Sequence, residues 1–297
     1  AFMLNNFFKF FTVVFLLAMF AFSSNALAQL VGGTTYPING TEAPPTSFGS
    51  ITTAATYLAA SGVTGTGQVI LELSTGYAGE PGPVTIGAIT GTSATLGVTF
   101  RPALGYTALT SIVGGATPNQ HAIRLAGCNY VTLDGRSGGV GSSRDWTISA
   151  TGTNGQMAVR LDHSVGAMTG INIRYLIMQG EAANTTGGIF QFTQTTSANT
   201  ITNCIVEGNL IQSGATFRGY GMTIANASNV GNTGNIIRNN VIRQFYARGI
   251  NLTGGFPGIE IYGNEIYHSA AVTQPSTSEF AAIYFSTSAS AGAKIYN

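Results

Sequence analysis

Ile237-Arg-Asn-Asn-Val-Ile-Arg-Gln-Phe-Tyr-Ala-Arg-Gly-Ile-Asn-Leu252 holds two phrases whose repetition decides the fold. Its last four residues, Gly249-Ile250-Asn251-Leu252, run small, apolar, polar, apolar. The same phrase occurs as Ala122-Ile-Arg-Leu125, Ala158-Val-Arg-Leu161, Gly221-Met-Thr-Ile224 and Ala282-Ile-Tyr-Phe285, and as Ile189-Phe-Gln-Phe192 with Ile189 in the small residue's place. The apolar anchors Ile123, Val159, Phe190, Met222, Ile250 and Ile283 lie 28 to 36 residues apart. The second phrase is an Ile followed by Asn-rich positions and another apolar residue. It appears as Ile201-Thr-Asn-Cys-Ile-Val206, Ile237-Arg-Asn-Asn-Val-Ile242 and Ile261-Tyr-Gly-Asn-Glu-Ile266.

Alternation with period two turns Ile123 and Leu125 to one face and Arg124 to the other, and the same holds in each later row. A lone strand of this kind cannot bury its apolar side. Stacked in parallel, one coil per 30 or so residues, the rows form a continuous aliphatic column, and each backbone pairs with the coils above and below. Asparagines at the turns are then expected to stack as ladders, Asn203 with Asn239 and Asn240 with Asn264. Ile51, Ala54, Ala55 and Leu58 share one face of a short helix that Gly62 ends, which suits a cap on the coil stack. The fold class expected is all-β, a right-handed parallel β-helix (solenoid) with a short N-terminal capping helix.

Asn240-x-Ile242, Asn264-x-Ile266 and Asn129-Tyr-Val-Thr-Leu-Asp-Gly135 resemble the right-handed β-helix repeats of pectin-lyase-like proteins. The stretch Ser47 to Gly65, followed by Gln68-Val-Ile-Leu-Glu-Leu73, is similar to the opening of large surface proteins secreted by gliding and polymer-degrading Bacteroidota. The resemblance spans most of residues 46–297 and specifies a fold better than a reaction.

Phe10 to Phe22 is an apolar run too short to span a membrane comfortably, preceded by Lys9 and followed by Ala26-Leu27-Ala28. Residues 1–28 therefore read as a signal peptide and 29–297 as the β-helix domain, an exported protein at the cell surface or outside the cell. The row Ile295-Tyr296-Asn297 stops in mid-coil, so the natural chain is expected to continue. Only 8% of residues are charged, against abundant Gly and β-branched types, which favours stacked short strands over an ordinary globular enzyme. A net charge of +1 gives no reason to propose nucleic acid as a partner, and the chain reads as a monomer. Cys128 and Cys204 fall about two coils apart, roughly 10 Å at ~4.8 Å per strand, too far for a bridge; two buried thiols are expected.

A glycosidase needs two carboxylates about 5–9.5 Å apart, which adjacent coils supply easily. The outward positions, row by row, do not hold such a pair. The first reads Arg124, Arg160, Gln191, Thr223, Asn251, Tyr284, and the next Ala126, Asp162, Thr193, Ala225, Thr253, Ser286: one acid. The Asn-bearing phrase reads Arg174, Thr202, Arg238, Tyr262 and then Gln179, Glu207, Arg243, Tyr267, with Glu207 beside Arg243. A polysaccharide lyase needs a base and a cation, often Ca²⁺ held by several acids. Arg124, Arg160 and Asp162, with His163 next in sequence, form the best constellation for it, though an exposed Arg-Asp-Arg cluster that keeps a sheet face soluble explains them as well, and no acid cluster accompanies them to hold calcium. Asp134-Gly135 reads as a turn.

Stacked faces also suit extended ligands, and sugars are held by aromatic platforms beside Arg, Asn and Thr. Phe217-Arg218-Gly-Tyr220 and Phe245-Tyr246-Ala-Arg248 occupy equivalent places before successive strands, with Phe217 and Phe245 as core satellites. Arg218, Tyr220, Tyr246, Arg248, Tyr262 and Tyr284 are the residues expected to contact a polysaccharide or cell-surface glycan. The sequence favours a glycan-binding or adhesive β-helix, with a lyase acting on acidic polysaccharide or a purely structural stalk as alternatives.

Overall fold

Strands too short to stand alone are paired here across whole coils. The computed structural model describes residues 27–113, 120–151, 157–180, 188–193, 199–213, 218–225, 231–268, 280–286 and 291–296, without the side chains of 111–113, 151 and 218. All but two residues of the expected signal peptide lie outside these. Three long parallel sheets form a β-helix of about seven turns. A nine-strand sheet runs from Thr35–Ile38 through Val69–Leu73, Val98–Pro102 and Val131–Asp134 to Lys294–Tyr296. A six-strand sheet starts at Ala108–Val113, and a seven-strand sheet at Val84–Ile86. Each full coil visits them in that order: 98–102, 108–113, 121–126, then 131–134.

The expected column is present: Ile123, Val159, Phe190, Met222, Ile250 and Ile283 are successive Cα partners in the seven-strand sheet. Val84 adds a seventh member beneath Ile123. The small residue that opens each row now has a cause. A Cβ on Gly221 would lie 2.4 Å from Ile242 Cγ2, and one on Gly249 2.4 Å from Ile266 Cγ2, so side chains of the adjoining six-strand sheet already fill that corner.

From Tyr130 onward, two corners of the coils turn on single left-handed residues. Before the nine-strand sheet these are Tyr130, Gly170, Asn203, Gly234, Gly258 and Gly292; after it they are Tyr175, Gly208, Asn239 and Gly263. Large and absent side chains alternate from coil to coil at the corner after the sheet, and at the corner before it as far as Gly234, where a run of glycines begins. A Cβ on Gly208 would sit 2.7 Å from the Tyr175 ring, and one on Gly263 2.4 Å from Asn239 Oδ1.

This arrangement corrects the second expected register. Asn203 stacks on Gly234, not Asn239, because the two asparagines belong to different corners. The ladder is Asn209 and Asn240, both buried, and the half-buried Asn264. Asn209 donates from its amide and side chain to Asn240 Oδ1, and Asn240 does the same to Asn264 Oδ1, at 2.9–3.0 Å. Each bond removes a buried backbone or amide donor from the list of groups that lost water. Glu207 is the coil neighbour of Arg174 and Arg238, where Thr202 was expected, and Arg243 stands beside Gln212. Ile201–Thr202 instead pairs with Met168–Thr169 in a short ladder of its own.

Helix α1, Ile51–Ser61, is capped by Ser50, whose hydroxyl accepts from Thr53 N–H, and ends at Gly62. It buries Ile51, Ala54, Ala55 and Leu58 as expected, and Tyr57 as well. It packs against Val84–Ile86, the end strand of the seven-strand sheet, and so covers that edge. The Glu80 carboxylate accepts from the N–H groups of Ile51 and Thr52 at 2.5 and 3.1 Å, an anion at a helix N-terminus supplied by the next coil. Tyr77, within hydrogen-bonding distance of Glu80, also meets Thr110, which accepts from Trp146 Nε1, so a polar thread enters the core without leaving Thr110 unpaired.

Candidate functional site

On the seven-strand sheet the outward column reads Thr85, Arg124, Arg160, Gln191, Thr223, Asn251, Tyr284. Arg124 and Arg160 both turn onto Asp162. Arg124 donates from Nε at 3.0 Å and Nη2 at 2.7 Å to Asp162 Oδ2, and Arg160 Nη2 lies 2.9 Å from the same oxygen. Ser164 supplies its amide, at 3.0 Å, and its hydroxyl to Oδ1. The cluster is therefore assembled as the sequence implied, with one correction: Asp162 is not exposed but only 1% accessible, covered by its own arginines.

Burial alone would raise the Asp162 pKa. The Ser164 hydroxyl and amide, then Arg160 and Arg124, outweigh it and hold the carboxyl below its ordinary value. An ionised carboxylate with both oxygens occupied by donors is a poor proton acceptor. It is also a poor calcium ligand, and no group of three His, Cys, Asp or Glu gathers as a metal site among the described residues. The side chains therefore do not fit a calcium ion. His121, at the start of the Arg124 strand, is pushed down to about 4 by burial and then by Arg160 and Arg124, which makes it neutral at pH 7.

Asp134, read as a turn residue, is a second such centre. It is fully buried, and Arg136 and Arg174 each place Nη2 at 2.9 Å from its Oδ2. It belongs to an outward column of the nine-strand sheet in which charge alternates: Glu72 with Arg101, then Asp134, Arg174, Glu207 and Arg238. The column continues into Tyr262 and Tyr296, whose rings stack at 4.8 Å. Glu207 binds Arg238 at 2.6 Å, so Arg238 is the partner that the sequence assigned to Arg243.

The expected aromatic residues divide. Tyr220, Arg248 and Tyr284 come together from three successive coils: the Arg248 guanidinium lies 3.3 Å from the Tyr284 ring centre and 5.6 Å from that of Tyr220, and donates to Asn251 Oδ1 at 2.7 Å. Tyr220 and Arg248 lie within strands Arg218–Ala225 and Phe245–Thr253, not before them, and Tyr284 lies in Ala281–Phe285. Arg218 opens its strand opposite Phe245. Phe217 is outside the described residues. Phe245 is a core residue, as expected, stacked on Phe280 at 5.5 Å. Tyr246 is half-buried in the same strand, and Tyr262 sits on the other sheet with Arg238 Nη1 3.0 Å from its hydroxyl. Between the arginine pair and the tyrosine cluster, Thr223 and Asn251 are each only 5% accessible, so the column presents two patches and not one open groove.

Cys128 and Cys204 are free, buried thiols, each pushed up to about 12 by burial. No helix among the described residues is long and apolar enough to cross a membrane. No known family model, characterised protein or solved structure matches the chain.

Proposed function

We propose that this is a surface-exposed or secreted β-helix that binds a glycan through Tyr220, Arg248 and Tyr284. The observation that carries the reading is the convergence of those three side chains, 28 and 36 residues apart in sequence, on one patch with Asn251 beneath. An aromatic ring beside a planar cation and an amide offers a sugar both a stacking face and directional hydrogen bonds. The export-like segment before residue 29 and the resemblance of Asn240-x-Ile242 and Asn264-x-Ile266 to pectin-lyase-like repeats support the same reading. The lyase alternative is weakened by Asp162, whose oxygens are already committed to Arg124, Arg160 and Ser164.

A glycan array read with the full chain, followed by titration of any hit, tests the proposal. Binding that falls about tenfold in Tyr284→Ala, with unchanged thermal unfolding, supports it. A protein that binds no glycan is a structural stalk, and release of unsaturated sugar from an acidic polysaccharide restores the lyase reading.

A further inference from the structure

We infer that Arg124 and Arg160 form a subsite for an oxyanion carried on a sugar, a uronate carboxylate or a sulfate ester. The inference rests on the glycan-binding reading and names the class of glycan. Two guanidiniums share one carboxylate, so the cluster keeps a surplus positive charge after Asp162 is counted. The next residue along the outward column is the neutral Gln191. Asp162 fixes both arginines in place, which lowers the ordering cost of receiving a ligand. Arg124 and Arg160 remain 27% and 19% accessible, enough to present donors while Asp162 stays covered.

Unmet hydrogen bonds point the same way. Arg160 Nε and His121 Nδ1 are buried atoms with no hydrogen-bond partner, and an Arg Nε can only donate. A buried donor without an acceptor is costly, so the Arg160 guanidinium gains by turning toward an oxyanion that arrives at its accessible edge. The His121 pKa is depressed first by burial and then by the positive field of the same two arginines.

Three probes test the assignment on the full chain: a short oligosaccharide of uronic acid, its carboxyl-reduced neutral counterpart, and a sulfated form of the neutral sugar. At low salt at least one anionic probe binds about tenfold more tightly than the neutral one, and rising salt erodes the difference. Which of the two anionic probes wins tells carboxylate from sulfate. Arg160→Gln and Arg124→Gln abolish the preference and leave neutral-sugar affinity unchanged. Equal affinity for all three probes overturns this inference and leaves the glycan-binding proposal standing, whereas binding of none overturns both. An anionic preference that survives Tyr284→Ala but not Arg160→Gln separates the two in the other direction. The unmutated protein gives an independent reading, because the His121 imidazole lies in the field of Arg124, Arg160 and Asp162. Its pKa, followed by NMR, rises from about 4 when the anionic sugar binds, and a stationary value at saturation overturns the assignment.

Discussion

Asp162 and Asp134 are the same device used in two settings. Each is a buried carboxylate at the end of a strand, accepts from the backbone N–H two residues on, and holds two arginines on one oxygen. What differs is the neighbourhood. Around Asp134 the column goes on alternating, Glu207 stands next to Arg174, and Arg136 lies 4.7 Å over the Tyr175 ring in the field of both acids. Around Asp162 the column turns neutral at Gln191 and donors are left over. A salt-bridge pair inside an alternating ladder is complete in itself, while the same pair with surplus charge is open to a ligand.

The largest effect expected is on stability. Asp134→Ala leaves two partly buried arginines unpaired and should cost about 3–5 kcal/mol in urea unfolding, with Asp162→Ala in the same range. A loss under about 1 kcal/mol at either breaks the likeness between them. Smaller and more discriminating is the pair Arg174→Gln and Arg160→Gln. Each removes one charge-assisted bond to a buried acid and should cost about 1.5–3 kcal/mol, but only the second alters salt-dependent glycan binding. Next comes pH. His121 has a folded pKa near 4, below its ordinary 6.5, so the unfolded chain binds the proton more readily. The contribution is present above pH 6.5 and is lost as pH falls from there through 4. Thermal unfolding midpoints between pH 7 and 4.5 should therefore decline, and His121→Gln should remove on the order of 1 kcal/mol of that decline. Part of the slope persists in that variant, since burial depresses His268 as well. Last, Cys128 and Cys204 touch neither cluster: reductant should leave the melting temperature unchanged, and Ellman's reagent should react only after unfolding.

The seven-strand sheet was legible because its strands run to five or more residues after the first, long enough for period two to show two inward positions and an outward one. Strands such as Asn172–Arg174, Ile205–Glu207 and Ile236–Arg238 offer one inward residue each, flanked by corners that look alike. Asn235 and Asn240 lie five residues apart in one coil and serve two different corners, so a reading by asparagine slides from one ladder to the other. That slip displaced Glu207 and Thr202 and hid the alternating column on which Asp134 sits. In the early rows, Thr35–Ile38 to Val98–Pro102, only Asn39 adjoins a strand, so the asparagine phrase does not repeat there and they do not read as coils. At the site, the arginine pair and Asp162 were readable from register alone. Burial of Asp162 was not, because it depends on which way two long side chains fold back.

The alternating corners set the unit by which this molecule can grow. At the corner after the nine-strand sheet the order is Tyr175, Gly208, Asn239, Gly263; at the corner before it, one coil out of step, Tyr130, Gly170, Asn203, Gly234, and then glycine again at Gly258 and Gly292. Excising the single coil that contains Gly208 would bring Tyr175 directly against Asn239, with two side chains in a space shaped for one. Along the alternating stretch, removing or duplicating two coils preserves the order of large and small. Along that stretch the module of this solenoid is thus a pair of turns, whereas past Gly234 the glycine corner before the sheet sets no such unit.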